Sequence, residues 1–405
     1  MNPGTEARLL MQALRECRNE TEVAGLNVVI QGFDQVSKHG YLLPGGERTC
    51  PLHGLSFPAM ESPFQTEAIH LQDALITENL NFRYFLITSR KCLSKPARNV
   101  ILLIHGLNEK SWEKYLPWAR RLHLGTGKPV LLFPMAFHMD RAPGTWSDPR
   151  SMQALSRERT ERHPAIHAPS LANAAISERL EANPRRFVWS GLQSLYDFFD
   201  LCRRVRAGLH PGISPNPGID LFAYSIGAFL ALIALMTNPG NLFTSSRLFC
   251  FCGGCVLNRT TPTSRYIMDS EANIALYAMY VEHLETEIAV NPRLAHFTSS
   301  QHPEGRFFRS LLDLNKMARD RDQRLHQLRR QIRALVLKQD RIIPPAEVMY
   351  TLQGRNRRIP IRVTEHDFPY AYTHENPFPA NSNRPELVER AMDRVFAGVS
   401  RFLGR

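Results

Sequence analysis

Residues 219–229, Ile-Asp-Leu-Phe-Ala-Tyr-Ser-Ile-Gly-Ala-Phe, run from an apolar strand pattern through a serine into a helical pattern. A strand that bends so sharply into a helix holds the residue at the bend in strained backbone geometry, and the positions two before and two after it must be small. Around Ser225 those positions are Ala223 and Gly227. The usual spelling is Gly-x-Ser-x-Gly, and alanine at the first place leaves only a methyl group where the turn is tight. A serine displayed in this way stands clear of the sheet edge, which makes Ser225 a candidate nucleophile.

The rest of the chain supplies a sheet to carry that turn. An alternating stretch within 75–91, Leu-Asn-Phe-Arg-Tyr-Phe-Leu-Ile, predicts a strand with one wet face, and the sheet is expected to start there. Continuous apolar runs follow at 99–105, 129–134, 220–224, 247–252, 332–338 and 359–363, the pattern of strands buried on both faces. Helical patterns at 111–123, 187–207, 226–236, 345–352 and 385–402 separate most of them. Alternation of this kind predicts an α/β fold with a mostly parallel sheet and helices on both faces. At 405 residues the chain fits one such domain carrying insertions. Two segments break the alternation, 138–185 and 257–331, the second ending in a charged helical pattern at 311–330. Both leave the carboxyl edge of the sheet, where open α/β folds bind ligands, so both are expected to cap the site. Residues 1–74 read as an N-terminal extension packing on a core domain of 75–405.

An activated serine needs a base within hydrogen-bond reach and an acid to orient that base, in the chain order serine, acid, histidine. Asp340 follows the 332–338 strand directly and would reach the same sheet edge as Ser225. Only His366 and His374 come later, so one of them must be the base. His374 lies in a loop ahead of the final helix, where an imidazole can swing over the nucleophile, and is preferred; His366, close to the last strand, is the alternate. Two backbone amides are needed for an oxyanion. Ile226 follows the nucleophile at a helix N-terminus, and Leu107 follows the His105-Gly106 strand end. His105 is read as structural. His138, Asp140, Trp146, Trp112 and Tyr224 are candidates to line the pocket.

His105-Gly106-Leu107, Ala223-Tyr-Ser225-Ile-Gly227, Asp340 and the late histidines together resemble the α/β-hydrolase superfamily of esterases, lipases and peptidases, over roughly residues 75–405. The segments Gly106-Leu-Asn-Glu-Lys-Ser-Trp112 and Thr373-His-Glu-Asn-Pro-Phe378 are also similar to a bacterial family of this fold without an assigned substrate. The resemblance implies an α/β-hydrolase fold and a serine hydrolase acting on an ester or related acyl compound. An acyltransferase on the same site, or a non-catalytic protein on the same scaffold meeting an anionic partner, are the competing readings.

Composition narrows these further. Hydrophobic residues at 43% and charged residues at 22% are ordinary for a globular protein, and no apolar run approaches the roughly 20 residues needed to cross a bilayer. The N-terminal pattern, with Leu9, Leu10, Ala13 and Leu14 among charges, lacks the apolar core of a signal peptide, and a cytoplasmic location is expected. The formal charge of +12 is spread rather than blocked and has no aromatic-and-basic motif beside it. Nucleic-acid binding is therefore not expected, while peripheral contact with an anionic membrane stays open, as does the oligomeric state. Seven cysteines in a long chain do not form a secreted disulfide framework. Cys250, Cys252 and Cys255 are interleaved with Phe249, Phe251 and Val256 in strand fashion and read as buried small side chains rather than zinc ligands. No phosphate-cradling loop or metal-ligand spacing stands at the strand ends, so neither cofactor nor metal is expected, and a serine triad needs none.

Overall fold

The computed structural model describes residues 3–58 and 72–404, so residues 59–71 of the N-terminal extension lie outside the described residues. A single large sheet organises the chain. Its strands are β1 (Glu20–Val23), β2 (Val28–Val36), β3 (Asn81–Thr88), β4 (Ala97–Ile104), β5 (Val130–Phe133), β6 (Ile213–Tyr224), β7 (Leu248–Phe251), β8 (Ile332–Leu337) and β9 (Arg362–His366). In space they run β1-β2-β3-β5-β4-β6-β7-β8-β9. The first pairings, β1 to β2, β2 to β3 and β3 to β5, are antiparallel, and all those from β5 onward are parallel. This is the α/β-hydrolase fold.

Period-2 alternation explains why the parallel strands are apolar throughout. In β4, Val100, Leu102 and Ile104 enter the core on one face while Ile101 and Leu103 enter the core on the other. The first face is covered by helices Arg186–Arg206 and Ile226–Thr237, the second by Pro3–Glu16, Tyr115–Thr126 and Pro385–Leu403. Among the described residues no helix is long and apolar enough to cross a membrane.

Three sequence expectations move. The sheet begins at β1 rather than within 75–91, because the segment read as an extension contributes β1 and β2 in register with β3. The last strand is Arg362–His366 rather than 359–363. Pro360 has no N–H to give a ladder, so Ile359 and Ile361 are buried just before the strand instead of within it. The charged helix is confined to Ala318–Leu328, with a separate helix at Pro303–Ser310.

The two segments that interrupt the alternation pack on each other. Arg159, on helix Pro149–Arg162 of the first, places its buried guanidinium on both oxygens of Asp269 in the second at 2.7 and 2.9 Å, and on Glu178 at 2.6 Å. The Asn108 side chain, in the loop after β4, donates to the carbonyls of Ala172 and Tyr266, one from each segment, at 2.9 and 2.7 Å.

Candidate active site

Ser225 sits between β6 and helix Ile226–Thr237 with φ 56° and ψ −125°, backbone geometry that costs an L-residue about 1–3 kcal/mol. The packing beneath explains how it is held. A Cβ at position 227 would lie 2.6 Å from the carbonyl oxygens of both Ile104 and His105, so only glycine lets the helix start against the end of β4. A Cβ at 253 would lie 2.6 Å from the Ser225 carbonyl oxygen, so Gly253 lets the chain after β7 pass under the bend. Ala223, fully buried, is wedged between Ile104 of β4 and Cys250 of β7.

Two loops close on the serine. Ser225 Oγ is 2.8 Å from His374 Nε2, and His374 Nδ1 is 2.7 Å from Asp340 Oδ2. The three are 7%, 3% and 4% exposed. The second carboxylate oxygen of Asp340 accepts the amides of Ile342 and Ile343 at 3.0 and 2.8 Å, which fixes its orientation where β8 gives way to helix Pro345–Leu352. In the tautomer whose Nδ1–H donates to Asp340, the lone pair of Nε2 faces the serine hydroxyl. The His374 loop is pinned from below: the Tyr224 hydroxyl donates to the His374 carbonyl, the two rings lie 5.5 Å apart and nearly parallel, and Lys114 Nζ donates to the Glu375 carbonyl at 3.0 Å. Burial holds the Tyr224 phenol well above its ordinary pKa, so it stays a donor. His366, at the end of β9, has no hydrogen bond to Ser225 or Asp340 among the described residues; its ring neighbours Phe368.

The loop after β4 faces the serine from the other side. Burial, the leading cause, holds His105 well below its ordinary pKa, so the ring is neutral. Its Nδ1–H donates to the Gly106 carbonyl at 2.8 Å and its Nε2 accepts the Met135 amide at 2.9 Å. The Tyr115 hydroxyl accepts the Gly106 amide at 2.9 Å and donates to Glu109 at 2.8 Å. With its neighbours so committed, the Leu107 amide has no protein acceptor among the described residues, and neither has that of Ile226, the first residue of its helix.

Ser225, Leu107 and Ile226 border a cavity of about 810 Å³, open mouth included. The walls are apolar, with Phe187 and Phe229 from the core helices and Ile267, Met268 and Leu276 from the second inserted segment. Leu107 and Phe187 also border two further recesses, one running along helix Arg186–Arg206 and one reaching Trp146 and Arg179 of the first inserted segment. Of the expected pocket residues, His138 and Trp146 do line these recesses. Asp140 is exposed, while Trp112 and Tyr224 are buried against other rings below the site.

Cys250, Cys252 and Cys255 are all buried, the first within β7 and the last against the cavity. A different set, Cys50, His53, His296 and His302, brings four metal-ligating atoms within 4.8 Å of one another. The sequence signals for it, Cys-x-x-His in one place and His-x5-His some 240 residues on, stand too far apart to be joined without the fold.

The model of a family of unknown function, DUF6051, matches residues 1–404. No curated protein matches the chain. Among solved structures, carboxyl esterase 2 from the mycorrhizal fungus Tuber melanosporum is similar at 10% identity and a TM-score of 0.44, over 80% of this chain and 82% of that one. A thermostable esterase from Pseudomonas putida ECU1011 is similar at 11% identity and a TM-score of 0.43, over 100% and 91%. A hyperthermophilic esterase from the archaeon Pyrobaculum calidifontis is similar at 11% identity and a TM-score of 0.44, over 100% and 93%.

Proposed function

We propose, for a chain that belongs to the DUF6051 family of unknown function and so takes no activity from its family, that it is a serine hydrolase of esters or related acyl compounds. The observation that carries this reading is the unbroken relay from Ser225 Oγ to His374 at 2.8 Å and on to Asp340 at 2.7 Å, built on a serine in strained backbone geometry. Ser225 Oγ attacks the acyl carbon while His374 Nε2 takes its proton. Asp340 keeps the imidazole in the right tautomer and stabilises the imidazolium. The Leu107 and Ile226 amides, without a protein acceptor among the described residues, receive the oxyanion, where one donor contributes on the order of 10²–10³ in rate. His374 returns the proton to the leaving group. A water then attacks the acyl-serine with His374 again as base, releasing the acid and restoring the Ser225 hydroxyl.

The apolar walls favour a substrate with apolar groups on either side of the scissile bond, and the inserted segments that form part of those walls act as the cap. The test is labelling with a fluorophosphonate, followed by mass spectrometry of the modified peptide, together with turnover of an activated short-chain ester. Modification at Ser225, and loss of both modification and turnover in Ser225→Ala, are expected. Undiminished turnover in Ser225→Ala would overturn the proposal.

A further inference from the structure

Cys50 and His53 lie in a tight hairpin whose strands, Thr49–Cys50 and Leu55–Ser56, are joined by a turn in which the Gly54 amide donates to the Cys50 carbonyl at 2.8 Å. His296 lies on helix Pro292–Phe297, and His302 caps helix Pro303–Ser310. These two helices meet so closely that a Cβ on Gly305 would stand 1.7 Å from the Phe297 carbonyl oxygen, and that approach is what brings His296 and His302 together. Cys50 Sγ is 3.5 Å from His53 Nδ1 and 3.5 Å from His302 Nε2, and His302 Nε2 is 3.0 Å from His296 Nε2. A tetrahedral zinc ion with bonds of about 2.3 Å to sulfur and about 2.05 Å to nitrogen separates its ligands by about 3.6 Å for sulfur to nitrogen and about 3.3 Å between nitrogens.

The surroundings suit an ion better than hydrogen bonds among the four. His302 Nδ1 faces Glu304 Oε1 at 3.2 Å and the Tyr196 hydroxyl at 3.1 Å, and that hydroxyl donates to Glu304 in turn. With its proton on Nδ1 and held by the carboxylate, His302 directs a bare Nε2 at both Cys50 and His296, the orientation a carboxylate imposes on a zinc-bound histidine. Cys50, His296 and His302 are buried, and only His53 faces solvent, which leaves an entry path.

We propose that Cys50, His53, His296 and His302 form a closed, structural zinc site that fastens the N-terminal hairpin to the second inserted segment. The Cys50 thiol gives up its proton to solvent as the sulfur–zinc bond forms, and the three imidazoles bind neutral. One thiolate with three imidazoles is a borderline-soft donor set that favours zinc over the hard divalent cations. Four protein ligands leave no position for water or substrate, and none of the four lines the Ser225 cavity or its neighbouring recesses, so the role is to hold the fold together.

Elemental analysis of the full chain, purified without an immobilised-metal step from cells grown with zinc, is expected to give one zinc per chain. X-ray absorption at the zinc edge is expected to show one sulfur and three nitrogen neighbours. Cys50→Ser and His302→Gln are expected to lose the metal, and His53→Asn, at the exposed turn where folding is least at risk, to bind it at least tenfold more weakly. Ser225→Ala is expected to keep its zinc, which separates this inference from the proposed hydrolysis. A folded wild type with no zinc, another metal in its place, a spectrum without sulfur, or a His53→Asn protein that binds zinc as tightly as wild type would each overturn the site.

Discussion

At the scale of single residues, the proposed chemistry divides unequally between the two late histidines and sharply between the two oxygens of Asp340. Because Oδ1 is committed to the Ile342 and Ile343 amides while Oδ2 faces His374, Asp340→Asn keeps the turn and replaces the acceptor by an amide NH₂. The imidazole then loses the tautomer it needs, and kcat for ester turnover is expected to fall by about 10⁴ with little change in thermal stability, a fall measurable on the purified variant. His374→Ala is expected to abolish fluorophosphonate labelling, and His366→Ala to preserve it; the reverse pattern in mass spectra would reassign the base. The order serine, acid, histidine left two histidines open in the sequence, and only the loop position of His374 favoured it over His366. What separates them in space is register: β9 carries His366 to the end of the ladder, paired with Leu337, while the following loop folds back so that Tyr224 grips the His374 carbonyl. That contact spans 150 positions and leaves no mark on the local pattern of either segment.

At the scale of elements, the parallel strands were legible because burial on both faces demands unbroken apolar runs, and the serine bend because its small flanking residues are obligatory. β1 was not legible, since Glu-Thr-Glu-Val at a sheet edge is short and mostly wetted, nor was β2, where Gln31, Gly32, Asp34 and Gln35 blur the alternation. Gly227 is where strand and helix depend on each other most directly. Gly227→Ala must displace the end of β4 or the helix start, because the obstructing atoms are backbone carbonyls with nowhere to turn. A loss of about 1–3 kcal/mol in urea denaturation is expected, with labelling at Ser225 lost as the bend shifts; a variant as stable and reactive as wild type would contradict this packing. Between the inserted segments the buried part of the joint that carries charge centres on Arg159. Arg159→Met leaves Asp269 buried without its cation and Glu178 with Arg162 alone, and a destabilisation of about 3–5 kcal/mol is expected, accompanied by faster proteolysis within 138–185 and 257–331. Cleavage confined to the termini would show that this ion cluster does not join the segments.

At the scale of the whole molecule, stability should depend on pH through histidines that fold neutral. Burial, the leading cause in each case, lowers His105, His123, His138 and His210 below their ordinary value, His138 to about 4. Their hydrogen bonds agree with neutral rings: His123 Nδ1 faces the Lys128 carbonyl at 2.9 Å, and His138 Nδ1 faces the Ala136 carbonyl at 2.8 Å. An unfolded histidine titrates near 6.5, so between that pH and the depressed folded values the unfolded chain holds more protons. The free energy of unfolding therefore falls as pH drops below about 6.5, with a limiting slope of about 1.4 kcal/mol per pH unit for each such group, and is level with respect to these groups above pH 7.5. Chemical denaturation at pH 7.5, 6.5 and 5.5 is expected to show that fall before the carboxylates begin to titrate. His138→Gln removes one titrating group, and its unfolding free energy should lose less than that of wild type over the same interval. Comparing the two proteins under one metal condition cancels any contribution from the Cys50 site, since both carry its four ligands. If the two curves run parallel from pH 7.5 to 5.5, His138 is not held neutral by the fold.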